Sequence, residues 1–458
     1  MTNSPWGLLP VEEPSCDPLV WLEALLGSNS HTAYLEQFGS PLTVADYRRQ
    51  VPVSRYEDLG PYLTRVQTGE PDVLFTGRPV AYERTGGSAG GSKLIPYSAQ
   101  GLQDFQTCII PWLANTVRRH GITGRAYFSI SPAARKQEFI GSVPVGLSDA
   151  AYLGERAGYV LYQQTAVPFD VSDIQDISVW REQTREYLRA AHDLELISAW
   201  SPTFLLRLLA DFPKTQELWP DLKVVSCWTS GPSHRYIEDI RRLFPHAVIE
   251  PKGLLSTEAV VTVPDLTGQP ALACPGFFEF AQNGRVLLES ELALNAEYEV
   301  MVTTASGLYR YMTGDRVRYD GCNSAGRPIL EFVGRDALTS DLVGEKLTES
   351  FVGKCLEMIP GFAMLVPDVM CPGYVLISEL DAGPDILSRL DNHLGMNPQY
   401  AYARKIGQLA PPRALKCKSP FLVVEKVMQQ RGVRLGDVKP TALRAEDFWL
   451  GLFEGCRL

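Results

Sequence analysis

Residues 85–93 read Thr85-Gly86-Gly87-Ser88-Ala89-Gly90-Gly91-Ser92-Lys93. Four glycines in nine residues leave much of the backbone bare, so its N–H groups can close on an anion. Thr85 and Ser88 add hydroxyl donors and Lys93 a mobile positive charge, which is the composition of a phosphate-holding loop. It is not a Walker loop, because Ser92 precedes Lys93 and Leu94 follows it. It is also a poor dinucleotide fingerprint: Val80-Ala-Tyr-Glu83 looks like a strand, but an amphipathic helix begins only at about Ser98. The plain alternative is a surface turn, and the rest of the chain decides between the two.

Outward from the loop, residues 98–118 carry a helical period, with Leu102, Phe105, Ile109, Trp112 and Leu113 on one face and Ser98 as N-cap. A buried strand at 221–228, an amphipathic helix at 233–244 and a second strand at 247–250 make a strand–helix–strand unit typical of α/β proteins. Near residue 276 the texture changes. Segments 277–280, 286–289 and 298–303 read as strands, with Asn283-Gly284 a hairpin turn, so a small antiparallel β subdomain is expected. Beyond 336, short strands (364–367, 374–378, 414–417) alternate with helices (386–394, 420–430). The boundary falls at Gly334-Arg335-Asp336, after a strand-like 329–333. The expected architecture is a large α/β N-terminal domain, 1–335, containing a β subdomain, followed by a small C-terminal α+β domain, 336–458.

Composition bounds the function. A chain of 458 residues exceeds one ordinary core. Hydrophobic content of 45% and charged content of 21% are those of a globular protein. A formal net charge of −10 argues against a nucleic-acid surface while permitting a local basic pocket. The N-terminus shows no signal peptide and no apolar run approaches the ~20 residues of a membrane span, so a cytoplasmic location without membrane partners is expected. Nine scattered cysteines support neither a zinc site nor a disulfide framework, and most read as buried small residues in a reducing compartment. Six histidines lack metal spacing, and there is no Gly-x-Ser-x-Gly elbow.

Three further signals follow the loop in order. Ser256-Thr257-Glu258 comes just after the strand at 247–250, where loops of an α/β sheet bind ligands; a hydroxyl beside a carboxylate suits a phosphate oxygen and Mg²⁺. Taken alone it reads equally as a helix N-cap with a first-turn Glu. Thr313-Gly314-Asp315 offers a carboxylate that can accept from both hydroxyls of a ribose, or is a plain β-turn. In Gly334-Arg335-Asp336, Arg335 can reach a phosphate or ribose and Asp336 can hinge the two domains, or the two form a surface pair in a linker.

As an ordered set, these four sites resemble the adenylate-forming superfamily of acyl and aryl ligases. Its loop of the form Thr-Ser-Gly-Thr-Thr-Gly-x-Pro-Lys aligns without a gap on Thr85–Lys93, its Thr-Glu on Thr257-Glu258, its Thr-Gly-Asp on Thr313–Asp315 and its hinge on Gly334–Asp336. Within it, the chain is most similar to the Gretchen Hagen three family of acyl acid amido synthetases. The likeness is carried by Val51-Pro-Val-Ser-Arg-Tyr-Glu-Asp-Leu59, Pro61-Tyr-Leu-Thr-Arg65, Thr68-Gly-Glu70, Lys93-Leu-Ile-Pro96, Gly307-Leu-Tyr-Arg-Tyr311 and Ile406-Gly-Gln-Leu409, and runs from about 35 to 446. Two departures stand out. Leu254 replaces the family's Tyr before the Ser-Ser-Glu region, and Gly86, Gly87 and Ala89 occupy positions usually held by Ser or Thr.

The resemblance implies ATP and Mg²⁺ as cofactors. Thr85, Gly86, Gly87, Ser88, Gly90 and Lys93 would hold the β,γ-phosphates, Glu258 the metal, Thr257 the α-phosphate and Asp315 the ribose. Ser230-Gly231 would line the adenine pocket, and Arg335 would reach the nucleotide from the hinge. Arg431–Pro440 resembles the segment bearing the superfamily's mobile catalytic lysine, which puts that role on Lys439, with Lys416 and Lys418 as rivals. The implied reaction adenylates a carboxylic acid and then transfers the acyl group to an amine or amino acid. A coenzyme A or carrier-protein ligase shares every adenylation residue and is the less favoured alternative. A non-catalytic nucleotide-binding protein is a third reading, disfavoured because Lys93, Glu258, Asp315 and Lys439 are all present.

Overall fold

The computed structural model describes residues 4–10, 16–85, 93–129, 138–147, 149–212, 214–335, 338–433 and 435–455, with side chains at all of these but 149–151. One sheet is parallel throughout, in the order Arg125–Phe128, Leu194–Ser198, Val224–Cys227, Val248–Pro251. Leu194, Leu196, Ile197, Val224 and Val225 are buried, as expected of strands covered on both faces. On one face lies the helix Ala99–Arg119, which Glu250 ties to the last strand through Thr116 Oγ1 (2.7 Å), His120 Nε2 (2.9 Å) and Arg119. Another core, built on Trp180, Phe204, Trp219 and Phe244, includes Ile197 and Val225 of the same strands.

The expected β subdomain is a seven-stranded antiparallel sheet, ordered Arg285–Leu287, Phe277–Gln282, Glu297–Thr303, Tyr311–Cys322, Pro328–Arg335, Pro270–Leu272, Thr262–Pro264. Asn283 (φ 50°) and Gly284 (φ 77°) form its tight turn with positive φ at both positions. The strand expected at 286–289 stops at Leu287, and a short 3-10 helix, Glu289–Glu291, takes over. Likewise the helix expected at 233–244 opens as a 3-10 helix, Gly231–Tyr236, before the α-helix Ile237–Leu243.

Residue 93 leads into a strand rather than directly into a helix. Leu94–Tyr97 pairs antiparallel with Ala81–Arg84, so the Gly-rich segment joins the two strands of a hairpin. Its ends are tied by Thr85 N–H to the Lys93 carbonyl (2.9 Å) and Lys93 N–H to Thr85 Oγ1 (3.1 Å). Pro96 is tolerated because this strand lies at the edge of its four-stranded sheet. The helix Ala99–Arg119 then starts at Ser98, whose Oγ accepts from Gly101 N–H (2.9 Å).

The C-terminal part is built on Ala363–Asp368, Gly373–Ser378 and Arg413–Lys416, with the helices Pro384–Leu394, Pro398–Lys405 and Pro420–Gln430. It meets the preceding part through Arg207, ion-paired to Glu425, and through Arg235, whose guanidinium donates to the carbonyls of Ile359, Gly361 and Ala363. One pair of cysteines departs from expectation: Cys16 is bonded to Cys274, with Cα atoms 6.2 Å apart. A separation of 258 residues leaves no trace in local spacing. Cys108, Cys227 and Cys355 are buried free thiols, Cys417 is buried, and Cys322 and Cys371 are exposed.

Gly307–Tyr311 has a structural role. Arg310 lies at φ 46°, nearly buried, and donates to both oxygens of the buried Glu279 (2.9 and 3.1 Å) and to the carbonyls of Arg48 (2.7 Å) and Val51 (2.9 Å). Ser54 adds backbone bonds to Arg310 O (3.0 Å) and from Met312 N–H (2.9 Å). Gly307 is required at φ 84°, since a Cβ there would meet Leu74 Cβ at 2.5 Å. Glu279 also accepts from Arg48 Nε (2.9 Å), so replacing Arg310 by Ala leaves it one guanidinium partner, and chemical denaturation should show a loss of ~1.5–3 kcal/mol.

Candidate functional site

Three segments leave the C-terminal ends of neighbouring parallel strands side by side: Ala199–Trp200, Trp228–Gly231 and Lys252–Glu258. This is the edge at which open α/β sheets bind ligands. Gly231 (φ 56°) fits only as glycine, because a Cβ would lie 2.9 Å from the Phe332 ring on the antiparallel sheet. The same sheet brings in Asp315 and Arg335, paired in register across adjacent strands.

Asp315 is fully buried, and Arg335 donates to it through Nε (2.5 Å) and Nη2 (3.4 Å). The pairing holds the Arg335 guanidinium well above its usual range, against the opposing effect of burial. Thr313-Gly314-Asp315 is neither a turn nor a strand end; it lies within the strand Tyr311–Cys322. Gly314 takes φ 79°, and Thr313 Oγ1 accepts from Asp315 N–H (3.1 Å) while donating to Val300 O (3.0 Å). Ser256-Thr257-Glu258 likewise caps no helix. It makes a tight turn closed by Ser256 N–H to Ala259 O (3.0 Å), and Thr257 O accepts from Tyr97 OH (2.8 Å).

Lys93 Nζ donates to Tyr311 OH (3.1 Å) and lies over the Tyr56 and Tyr311 rings at 5.4 and 5.8 Å. Lys439 arrives from the C-terminal part with Nζ 5.3 Å over Trp228. Its side chain is exposed to water. Desolvation, then the nearby Arg335 charge, push its pKa down to about 8, opposed by Asp315, Glu258 and Asp437. The structure therefore gathers Lys93, Glu258, Asp315, Arg335 and Lys439 around one cleft. Lys416 and Lys418 are exposed, on and just after the edge strand Arg413–Lys416. Gly86, Gly87, Ser88, Gly90 and Asp336 lie outside the described residues.

Glu258 has no hydrogen-bond or ion-pair partner among the described residues, so its carboxylate is available to a cation. A single carboxylate beside a phosphate site fits Mg²⁺, which keeps several waters and takes its remaining ligands from phosphate oxygens. Among the described residues no group of three or more His, Cys, Asp or Glu could hold a metal by itself.

Sequence reasoning missed an aromatic wall. Lys252 is buried, donates to Ser198 Oγ (2.7 Å) and sits 4.6 Å over Trp200 and 5.1 Å over Trp112. Desolvation pushes its pKa down to about 8. Trp200 in turn lies 5.9 Å from Trp228, so the two indoles link Lys252 to Lys439. No local spacing announces this group, because its members come from four separate segments.

The fold is that of the adenylate-forming ligases. The structure of a 2-hydroxyisobutyryl-CoA ligase superposes over 96% of this chain and 91% of its own with a TM-score of 0.55 at 11% identity. That of the GH3.15 acyl acid amido synthetase superposes over 95% and 92% with a TM-score of 0.81 at 18% identity. The domain family described as "GH3 family N-terminal domain" matches residues 19–217 and "GH3 family central domain" matches 271–335, together more than half of the chain. The chain belongs to the GH3 family. Among its relatives are a putative indole-3-acetic acid-amido synthetase of Oryza sativa subsp. japonica, 24% identical over 73% of this chain and 81% of the relative, and an indole-3-acetic acid-amido synthetase of Arabidopsis thaliana, 23% identical over 78% and 76%. No helix among the described residues is long and apolar enough to cross a membrane.

The Asp315–Arg335 pair makes a stability prediction. Asp315→Ala leaves Arg335 without its partner, and denaturant unfolding should show a loss of up to ~3–5 kcal/mol. The double variant Asp315→Ala/Arg335→Met should recover most of that loss, because no uncompensated charge remains.

Proposed function

We propose that this chain is an ATP-dependent acyl acid–amine ligase that joins a carboxylic acid to an amine or amino acid through an acyl-adenylate. The observation that carries the reading is the meeting of Lys439, from the C-terminal part, with Glu258, Asp315 and Arg335 at the edge of the parallel sheet. The names of its GH3 relatives, indole-3-acetic acid-amido and jasmonoyl-amino acid synthetases, support the same reaction class.

ATP is a substrate in this scheme. A carboxylate oxygen attacks the α-phosphorus, the bond to the leaving pyrophosphate breaks, and acyl-AMP forms. Lys93 and the Thr85–Lys93 backbone hold the β,γ-phosphates, and Thr257 contacts the α-phosphate. Glu258 would hold Mg²⁺, which would supply charge neutralisation to the phosphates. Asp315 can take both ribose hydroxyls while keeping Arg335, since a carboxylate offers about four acceptor sites. Ser230-Gly231 borders the adenine. Lys439 bridges the attacking carboxylate and the α-phosphate, offsetting their repulsion where negative charge develops. In the second step the amine nitrogen bonds to the acyl carbon and AMP departs with the oxygen. Residues 1–335 and 336–458 act as two domains, turning about Arg335-Asp336 between the steps. The enzyme works in the cytoplasm on dissolved small molecules. A thiol acceptor would use the same adenylation groups, so mass spectrometry of products formed with amines and with coenzyme A separates the two.

Carboxylate-dependent ATP–pyrophosphate exchange yielding AMP is expected; ADP as the product would overturn the reading. Lys439→Ala should slow adenylation about 10²–10³-fold while amide formation from supplied acyl-AMP persists. Equal loss of both half-reactions would make Lys439 structural.

The Trp200–Trp228 wall with Lys252 at its far end is the side of the cleft suited to an anionic acid. Lys252→Met keeps the volume and removes the charge. It should raise the KM for the acid about tenfold or more, the value of one charge-assisted bond, while leaving thermal stability within a few degrees. An unchanged KM would confine Lys252 to packing.

A further inference from the structure

A second cavity opens on the other side of the Ser256–Glu258 turn, with a volume of about 50 Å³. One water needs ~10–15 Å³ by this measure, so there is room for a small head group but not for an aryl acid. Its lining is acidic and aromatic. Asp104 and Glu258 supply carboxylates, Trp21, Tyr97 and Phe105 supply rings, and no Lys or Arg is among its lining residues.

Two oxygens there are unsatisfied. Asp104 Oδ1 accepts from Gln100 Nε2 (2.9 Å), but Oδ2 is buried without a partner in hydrogen-bond geometry, and so is Thr304 Oγ1, another lining residue. A buried acceptor left unpaired costs about 1–3 kcal/mol, more when charged, so such groups in a cavity mark a place a ligand completes. Burial pushes the Asp104 pKa up to about 6, against hydrogen bonding from Gln100 and Trp21, which leaves it mostly ionised at neutral pH. A carboxylic acid entering here would meet the like charge of Asp104. An ammonium would meet the opposite charge of Asp104, an orphaned hydroxyl and aromatic faces that attract cations.

We propose that this cavity is the site of the acceptor amine, with the Asp104 carboxylate and Thr304 Oγ1 holding its ammonium group beside Glu258. This rests on the ligase reading above and adds the place and charge state in which the acceptor arrives: a primary amine bound as its cation, which passes one proton to the Asp104 carboxylate or to water before its nitrogen attacks the acyl carbon. It also gives the two substrates opposite electrostatic addresses, the acid towards Lys252 and Lys439, the amine towards Asp104.

The test has two arms on the full-length protein. In the first, calorimetry titrates methylamine and ethylamine, with methanol and ethanol as neutral counterparts, into wild type, Asp104→Asn and Thr304→Val. Wild type should prefer the amines, and Asp104→Asn should weaken them about 10- to 150-fold with little change for the alcohols. Thr304→Val should act in the same direction, less strongly, and serves if Asp104→Asn does not fold. Equal amine affinity in wild type and both folded variants would overturn the proposal. In the second arm, single-turnover aminolysis of supplied acyl-AMP compares an amino acid with hydroxylamine, which is uncharged at neutral pH. The KM for the amino acid should rise in Asp104→Asn far more than that for hydroxylamine, and equal increases would overturn the proposal. Absence of pyrophosphate exchange in wild type would instead sink the ligase reading, and the binding arm still decides the amine site.

Discussion

The buried pair between Arg310 and Glu279 is the constraint on which the site depends. It draws the segment Arg48–Ser54 onto the antiparallel sheet and spends four guanidinium hydrogen bonds on that one junction. Tyr311, the next residue, receives Lys93 Nζ, so the end of the Gly-rich segment is fixed by a side chain that the junction positions. Four residues further along the same strand, Asp315 holds Arg335. The end of the Gly-rich segment, Asp315 and Arg335 are thus set by one strand whose start is locked in place.

Charge in the cleft is arranged by segregation. Lys93, Lys252 and Lys439 are each held over aromatic rings, which accept a cation without supplying a counter-charge. Arg335 alone is paired tightly, to Asp315. Asp104 keeps a buried carboxylate oxygen without a partner in hydrogen-bond geometry on the opposite side of the Ser256–Glu258 turn. Burial lowers Lys252 and raises Asp104, the signature of charged groups held away from water. Such a site is costly when empty and is relieved by ligands of the opposite sign on each side.

Local pattern carried well where a short-range rule applied. The helical period after Ser98, the Asn283-Gly284 turn and the helix Pro420–Gln430 all follow from rules acting within one or two turns of chain. It failed where neighbours in space set the conformation. Leu94–Tyr97 is too short, with Pro96 inside it, to announce itself as a strand; its pairing with Ala81–Arg84 makes it one. Thr313-Gly314-Asp315 reads as turn chemistry, yet strands on both sides carry it through a positive φ at Gly314 without ending the ladder.

What the sequence determined by itself is the order of chemically distinct segments: a glycine-rich anion loop, a hydroxyl–carboxylate turn, a Thr-Gly-Asp, an arginine hinge and a late lysine, on an alternating α/β frame that became antiparallel. These are legible because each is a contiguous run whose residue types limit its chemistry. Only the tertiary structure decided which side chains share a cleft. Lys252, Trp112, Trp200 and Trp228 lie up to 140 residues apart in the chain, and Asp104 lines a cavity from a helix whose stripe reads simply as apolar. Their meeting is a product of strand order and helix packing, which bring distant positions within a few ångströms, and no local periodicity encodes that distance.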